Sequence, residues 1–229
     1  MNTYSNGRKF DKSVTNDVKA LLATLTDRTI ESNVYRETMF EIGKFMGQEL
    51  SKKLDSNKSY CIASTVEDAD FLSKGIIESI KEKVHSVYLV CFWNDRIKVN
   101  GASVAPIFNK FQDKGYETAD SLIVVKSIMS GSCVVKTNIT ALIENMSPKN
   151  IFVLAPVMHK DSTLKLEREF PAQISALFNY FSLAIDENIN NNGEVLPGIG
   201  GSVYERLGFG GQTEKNQYIP NIVQERIFA

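Results

Sequence analysis

Four groups of residues in this chain are of types and spacings that could do chemistry. The first is Ser127-Ile128-Met129-Ser130-Gly131-Ser132, small hydroxyl residues around a glycine just before a helical pattern. The hydroxyls of Ser127, Ser130 and Ser132 and the backbone N–H groups near Gly131 could hold phosphate oxygens at a helix N-terminus. The same composition also caps ordinary helices. The second is Glu67-Asp68-Ala69-Asp70. It reads either as an acidic first turn favoured by the helix dipole or, with Glu67 or Asp68 as general base, as a group that activates water. The third is Lys126, a phosphate ligand or a solvated loop lysine. The fourth is the late run Ala184-Ile185-Asp186-Glu187 through Pro197-Gly198-Ile199-Gly200-Gly201, rich in turn residues. With only His85 and His159, a His-rich metal centre is excluded, and both are expected at the surface near strand ends. Cys61, Cys91 and Cys133 show no CxxC spacing and sit in or beside apolar runs. They argue against a disulfide framework or a zinc site and read as packing residues in a reducing cytoplasm.

The elements that must position these groups alternate in type. From Thr15 to about Leu54 apolar residues recur at helical spacing, with a polar elbow at Thr26-Asp27-Arg28, predicting two helices. Tyr60–Thr65, Ser86–Trp93, Ser121–Val125, Asn150–Ala155 and Leu177–Ile185 read as strands. Helical patterns fill Asp68–Lys83, the stretch after Ser132 to about Met146, and Thr163–Phe170. The nearly continuous apolar run SVYLVCFW is expected of a strand buried on both faces. Such alternation predicts an α/β fold, a mainly parallel sheet flanked by helices with right-handed crossovers. Asn94–Asp120 lacks clear periodicity and is expected to be a flexible excursion or hairpin, and Asn188–Asn192 a turn. Residues 1–14 are expected to be a flexible arm, 15–201 one domain, and 202–229 a C-terminal extension of it, docking as a lid or on a neighbour through Tyr204, Arg206 and Tyr218-Ile219-Pro220.

The chain has 229 residues, 43% hydrophobic and 23% charged, with a net charge of −1. That suits one sizeable globular domain. Near-neutrality gives no electrostatic case for nucleic acid or an anionic membrane surface. The sequence has no apolar run of about 18 residues, so no membrane span is expected.

The segment from Ala184 to Gly201 resembles the uracil-binding end of uracil phosphoribosyltransferases, which carries an A-x-D-E-x-L-N-x-x-G-Y-I-V-P-G-L-G-D pattern. Leu25-Thr26-Asp27-Arg28 and Arg36…Glu41-Ile42-Gly43 resemble that family's N-terminal helices. Ser121–Cys133 resembles its strand and phosphate loop, and Leu154-Ala155-Pro156 its A-A-P strand end. The resemblance covers roughly residues 20–201 and implies a type I phosphoribosyltransferase fold, a homodimer, and a pocket for a pyrimidine base or nucleotide together with phosphoribosyl pyrophosphate. It implies that Ser130, Gly131 and Ser132 hold the 5′-phosphate with Ser127, beside which Lys126 is a candidate phosphate ligand, that Arg96 helps hold phosphate or pyrophosphate, and that backbone groups of Val195, Leu196, Pro197, Gly198, Ile199 and Gly200 read the base. No cofactor is fixed by the residues; the resemblance implies magnesium.

Three positions depart from the family pattern. Val125 stands where an acidic residue grips ribose hydroxyls, Glu67 where the pyrophosphate loop has an arginine, and Gly201 where an aspartate lies near the metal. Three carboxylates at 67, 68 and 70 facing a pyrophosphate would repel it by several kcal/mol in a low-dielectric cleft. The expectation is a protein that binds a pyrimidine base or nucleotide and ribose 5-phosphate, with these departures counting against ordinary transfer from phosphoribosyl pyrophosphate. Two alternatives stay open: an enzyme of nucleotide glycosidic-bond hydrolysis or transfer using Glu67 or Asp68, and a non-catalytic nucleotide-binding regulator or partner subunit.

Overall fold

Strands and helices follow one another as the apolar patterning predicts. A computed structural model describes residues 7–99, 102–191 and 193–228. The chain runs β1 (Arg8–Phe10), α1 (Asn16–Thr26), α2 (Ser32–Ser51) and β2 (Ser59–Thr65). A short α3 (Val66–Asp68) then passes through one π-helical turn, Ala69–Ser73, into α4 (Lys74–Ile80). Next come β3 (Ser86–Asn94), the hairpin β4 (Ile97–Val99) and β5 (Ala102–Val104), and β6 (Ile107–Gln112). The second half holds β7 (Ser121–Val125), β8 (Ile128–Met129), α5 (Cys133–Ile143), β9 (Asn150–His159), α6 (Ser162–Glu167), α7 (Ala172–Ser175) and β10 (Phe178–Asp186). It ends with a small hairpin, β11 (Asn188–Ile189) and β12 (Val195–Leu196), and three short helices, α8 (Val203–Arg206), α9 (Gln212–Gln217) and α10 (Asn221–Ile227).

The main sheet has the order β1-β10-β9-β7-β2-β3-β6, with β8 also on β9. The five central strands are parallel, and the antiparallel β1 and β6 close the two edges. Side chains alternate between two cores. Tyr60, Ile62, Leu89, Cys91, Trp93, Ile123 and Val125 face α1, α2 and α4. Cys61, Ala63, Val90, Phe92, Leu122 and Val124 face α5 and α6. Burial on both faces is why these strands read as unbroken apolar runs. Helices α2 and α4 cross closely because each offers a glycine: a Cβ on Gly43 would lie 2.3 Å from the Leu72 carbonyl oxygen, and one on Gly75 2.3 Å from that of Phe40.

Two expectations are corrected here. Part of the 1–14 arm is built into the fold, because Arg8–Phe10 pairs with Ala184–Asp186 as an edge strand. The Arg8 guanidinium is buried against Asp186, with its Nε 2.7 Å from Oδ1 and its Nη2 2.7 Å from Oδ2. His159 is buried rather than at the surface, its Nε2 3.2 Å from the Glu187 carbonyl oxygen. The described part of Asn94–Asp120 forms a hairpin and an edge strand, and the described part of Asn188–Asn192 leads into a turn closed by Gly193 N–H on the Asn190 carbonyl.

The topology fixes where a ligand should lie. From β2 the chain moves to β3 on one side, whereas β7 lies on the other. Open α/β sheets bind ligands beyond the carboxyl ends of strands at such a switch point. β2 and β7 are in parallel register, with Ala63 opposite Val124, so Glu67-Asp68 and Lys126 emerge side by side at that end.

Candidate functional site

Beyond β2 and β7 the three charged groups bind one another. The Lys126 ammonium lies 3.0 Å from Glu67 Oε1 and 2.5 Å from Asp68 Oδ2, and also donates to Ser127 Oγ at 3.2 Å. Thr65 Oγ1 donates to Asp68 Oδ2 at 2.8 Å. Glu67 and Asp68 are 4% and 1% exposed. Burial alone would push the Lys126 ammonium down, but Asp68 and then Glu67 overcome it and hold it above its ordinary value. Burial pushes Glu67 up, yet Lys126 and Lys215 outweigh that and keep its carboxyl below the usual range. Asp68 goes the other way, raised by burial and by the neighbouring Glu67 beyond what Lys126 offsets. The cluster is thus two carboxylates on one ammonium, with Glu67 the more firmly ionised. Glu67 Oε2 and Asp68 Oδ1 are buried without a hydrogen-bond partner among the described residues.

Two adjoining cavities open here. A smaller one of about 220 Å³ is lined by Glu67, Lys126, Ser130, Val195, Ile199 and Tyr204, among others. A larger one of about 840 Å³ is lined by Ser130, Gly131, Ser132, Arg96, Lys136 and Arg168, among others. Ser130 and Arg96 border both. Ser132 precedes the first turn of α5, and no side chain among the described residues caps it, so its N–H groups are left for another acceptor. A Cβ on Gly131 would touch nothing within 4 Å, so the backbone there is open to approach. Of the cations lining the larger cavity, Lys136 is paired with Glu169, while Arg96 has no carboxylate partner among the described residues.

The loop from Val195 to Gly200 is held from beneath. Asp186 Oδ2 accepts the Gly198 N–H at 2.8 Å, and Arg8 Nη2 donates to the Gly198 carbonyl oxygen at 2.6 Å. Tyr35 Oη donates to the Ile199 carbonyl at 3.1 Å. Gly198 has φ +58°, and a Cβ there would lie 2.2 Å from the Val195 carbonyl oxygen, so the turn requires glycine. A Cβ at Gly198 would also lie 3.3 Å from Ile128 Cδ1. The base-type loop and the phosphate-type loop are therefore neighbours.

The C-terminal segment completes the wall. Tyr204 lines the smaller cavity, and burial followed by Glu67 raises its phenol to about 12. Lys215 is buried, its ammonium 2.6 Å from the Asn94 carbonyl oxygen and 5.2 Å from the centre of the Tyr204 ring. Asp70 anchors the tail: it accepts the Asn221 and Ile222 N–H groups at 2.7 and 2.9 Å and the Tyr218 hydroxyl. Trp93 Nε1 donates to the Tyr218 carbonyl at 3.0 Å.

The sequence-derived assignments divide accordingly. Ser130, Gly131, Ser132, Arg96, Lys126, Glu67, Val195 and Ile199 line the joined cavities. Ser127 does not, being fully buried with its hydroxyl on Lys126. Asp68 lines neither cavity. Lys126 is neither solvated nor free for phosphate alone, since two carboxylates already hold it. Three carboxylates do not face a common ligand, because Asp70 is spent on the tail and Asp68 on Lys126 and Thr65. Leu196 and Pro197 lie outside both cavities, Gly200 borders a separate cleft, and the Gly198 N–H and carbonyl are already bound.

Magnesium does not fit these residues. The Lys126 ammonium takes the place between the carboxylates that a cation would need, and Gly201 offers no side-chain ligand. Among the described residues no group of three or more His, Cys, Asp and Glu could hold a metal ion. Sequence reading also missed Lys215 and the Arg8–Asp186 clamp. Asp186 directly before the turn-rich run was a usable signal; a lone buried lysine in a polar helix gives none.

A mainly parallel sheet flanked by helices, with the site loops gathered at its switch point, defines an open-sheet α/β protein. In sequence the chain is similar to uracil phosphoribosyltransferases: it is 24% identical over 199 residues to that of Thermococcus sibiricus, covering 79% of this chain and 81% of the relative. The Sulfolobus acidocaldarius uracil phosphoribosyltransferase is 18% identical over 202 residues, covering 78% and 90%. No family model matches the chain. A solved Aquifex aeolicus protein has the same fold, with a TM-score of 0.64 over 85% of this chain and 95% of that one at 14% identity. Among the described residues no helix is long and apolar enough to cross a membrane.

Proposed function

We propose that this protein binds a pyrimidine nucleoside 5′-monophosphate, or its base together with ribose 5-phosphate, and does not transfer the ribosyl group from phosphoribosyl pyrophosphate. The observation that carries the reading is that Ser130, from the phosphate-type loop, and Val195 and Ile199, from the base-type loop, line one cavity. The phosphate belongs at the open N-terminus of α5, where free N–H groups, Ser130, Ser132 and the unpaired Arg96 converge. The base belongs against Val195 and Ile199, on a loop that Asp186, Arg8 and Tyr35 hold rigid. A pre-set loop loses little freedom on binding, which favours affinity.

The diphosphate leaving group has no comparable place. The end of the cavity near β2 carries two carboxylates against one ammonium in the Glu67-Asp68-Lys126 cluster. A diphosphate pressed against it meets net negative charge at short range, and charges in a site shielded from water repel strongly. The names of the similar proteins support the pyrimidine part of this reading.

The test is a direct assay. Purified protein with uracil, phosphoribosyl pyrophosphate and magnesium is expected to form no UMP above a protein-free blank, while UMP itself binds saturably. UMP formation would overturn the exclusion of transfer. Release of uracil from UMP, abolished in Glu67→Gln, would instead favour glycosidic-bond hydrolysis, for which the ionised Glu67 facing the cavity is the group of the right kind.

A further inference from the structure

Among the described residues, Glu67 is the cavity-lining carboxylate whose buried oxygen lacks a hydrogen-bond donor. It lines the smaller cavity, is 4% exposed, and its Oε2 has no donor among the described residues. A buried carboxylate oxygen without a donor is costly to leave unmade. Lys126 satisfies Oε1 only, at 3.0 Å, and Lys215 is engaged at the Asn94 carbonyl. The missing partner must donate a hydrogen bond without carrying negative charge. A diphosphate fails on charge, and a metal ion is displaced by the ammonium already between the carboxylates. The base meets the 195–199 loop. What is left in a ligand running from the Ser130 loop to Val195 and Ile199 is a neutral, donor-bearing unit, a sugar with hydroxyl groups.

We propose that Glu67 is the sugar-hydroxyl ligand of this site, accepting from the ribose 2′- or 3′-hydroxyl through Oε2, so that the protein prefers nucleotides that carry the held hydroxyl over those that lack it. The inference rests on the nucleotide reading of the cavity given above. Val125, at the end of β7, has no polar side-chain atom to offer a hydroxyl, whereas the end of the adjacent strand β2 leads directly to the Glu67 carboxylate. Lys126, the residue after Val125, keeps that carboxylate ionised and holds it by Oε1, which leaves Oε2 as the oxygen without a donor among the described residues. A hydrogen bond to a charged acceptor is worth more than a neutral one, enough for about tenfold discrimination or more.

The experiment is calorimetric titration of the full chain with UMP, dUMP and 2′,3′-dideoxy-UMP, repeated for Glu67→Gln and Glu67→Asp with melting temperatures recorded. UMP is expected to bind about tenfold or more tighter than the dideoxy analogue, with dUMP equal to one or the other according to which hydroxyl is held. Glu67→Gln should bring UMP down toward the dideoxy analogue, and Glu67→Asp should keep part of the preference. Equal binding of all three nucleotides by the wild type overturns the proposal while leaving the nucleotide reading standing. Undiminished selectivity in Glu67→Gln overturns it too. Failure of all three to bind overturns the nucleotide reading itself, and this proposal with it. The wild-type comparison needs no variant, so a folding defect at position 67 cannot shield the claim.

Discussion

The two ends of the site solve opposite problems. At the α5 end the polar groups are left open: Ser130, Gly131 and Ser132 expose backbone N–H groups, no side chain caps the helix, and Arg96 has no acidic partner among the described residues. At the β2 end the charges are spent on each other, with Lys126 between Glu67 and Asp68 and Asp70 tied to the tail. An open end is built to receive an anion, and a closed one has already received its counter-charge. Substitutions at the closed end should therefore cost stability first, and those at the open end should cost binding alone.

The largest effect is expected for Lys126→Met. Removing the ammonium leaves two buried carboxylates unpaired, which costs about 3–5 kcal/mol, or a fall in melting temperature of about 10 °C for a chain of this size. The same group carries a pH signature. Its folded-state pKa lies above the ordinary 10.5, so its contribution is fully present below 10.5 and is lost as pH rises through the folded value. The stability gap between wild type and Lys126→Met, followed by denaturant unfolding from about pH 8 upward, should stay constant below 10.5 and close only above it. A gap that closes well below 10.5 would show that the lysine is not held by those carboxylates.

Arg8→Lys comes next. It keeps the charge but loses the two-pronged grip on Asp186 and the bond to Gly198, costing about 1.5–3 kcal/mol. Amide exchange between residues 195 and 200 should accelerate; unchanged protection there would separate the N-terminal strand from the base-type loop. Gly131→Asp attacks the open end. With nothing within 4 Å of the new Cβ, the fold should be unaffected, while a negative charge beside the anion cradle should weaken UMP about tenfold, or ~1.4 kcal/mol. Unaltered affinity would place the phosphate elsewhere. The smallest effect is that of Tyr218→Phe, which removes one hydroxyl from Asp70 while two N–H donors remain. It should cost about 1 kcal/mol in denaturant unfolding, and a loss several times larger would show that the tail depends on that one hydroxyl.

How much of this was legible in the sequence follows the range of the forces involved. Strands such as Ser86–Asn94 and Ser121–Val125 announce themselves because both faces are buried, so nearly every interior position is apolar. The phosphate-type loop was legible because small hydroxyl residues and glycine are needed in consecutive positions. The fate of the charges was not. Whether Glu67 faces a ligand or a lysine depends on the parallel register of β2 and β7, a contact between residues 59 apart in sequence. Arg8 looked like part of a loose arm because its partner lies 178 residues away. The tail gave no sign that Asp70 would cap α10 or that Lys215 would be buried, since neither residue type nor spacing encodes a long-range cap.

The most direct test of the central claim is a crystal structure of the protein soaked with UMP. The account predicts the phosphate within hydrogen-bond distance of Ser130 and the N–H groups at the start of α5, the pyrimidine against Val195 and Ile199, and the sugar edge toward Glu67. A nucleotide bound outside the joined cavities, or a phosphate drawn to Lys126 with the Glu67 and Asp68 ion pairs broken, would contradict it.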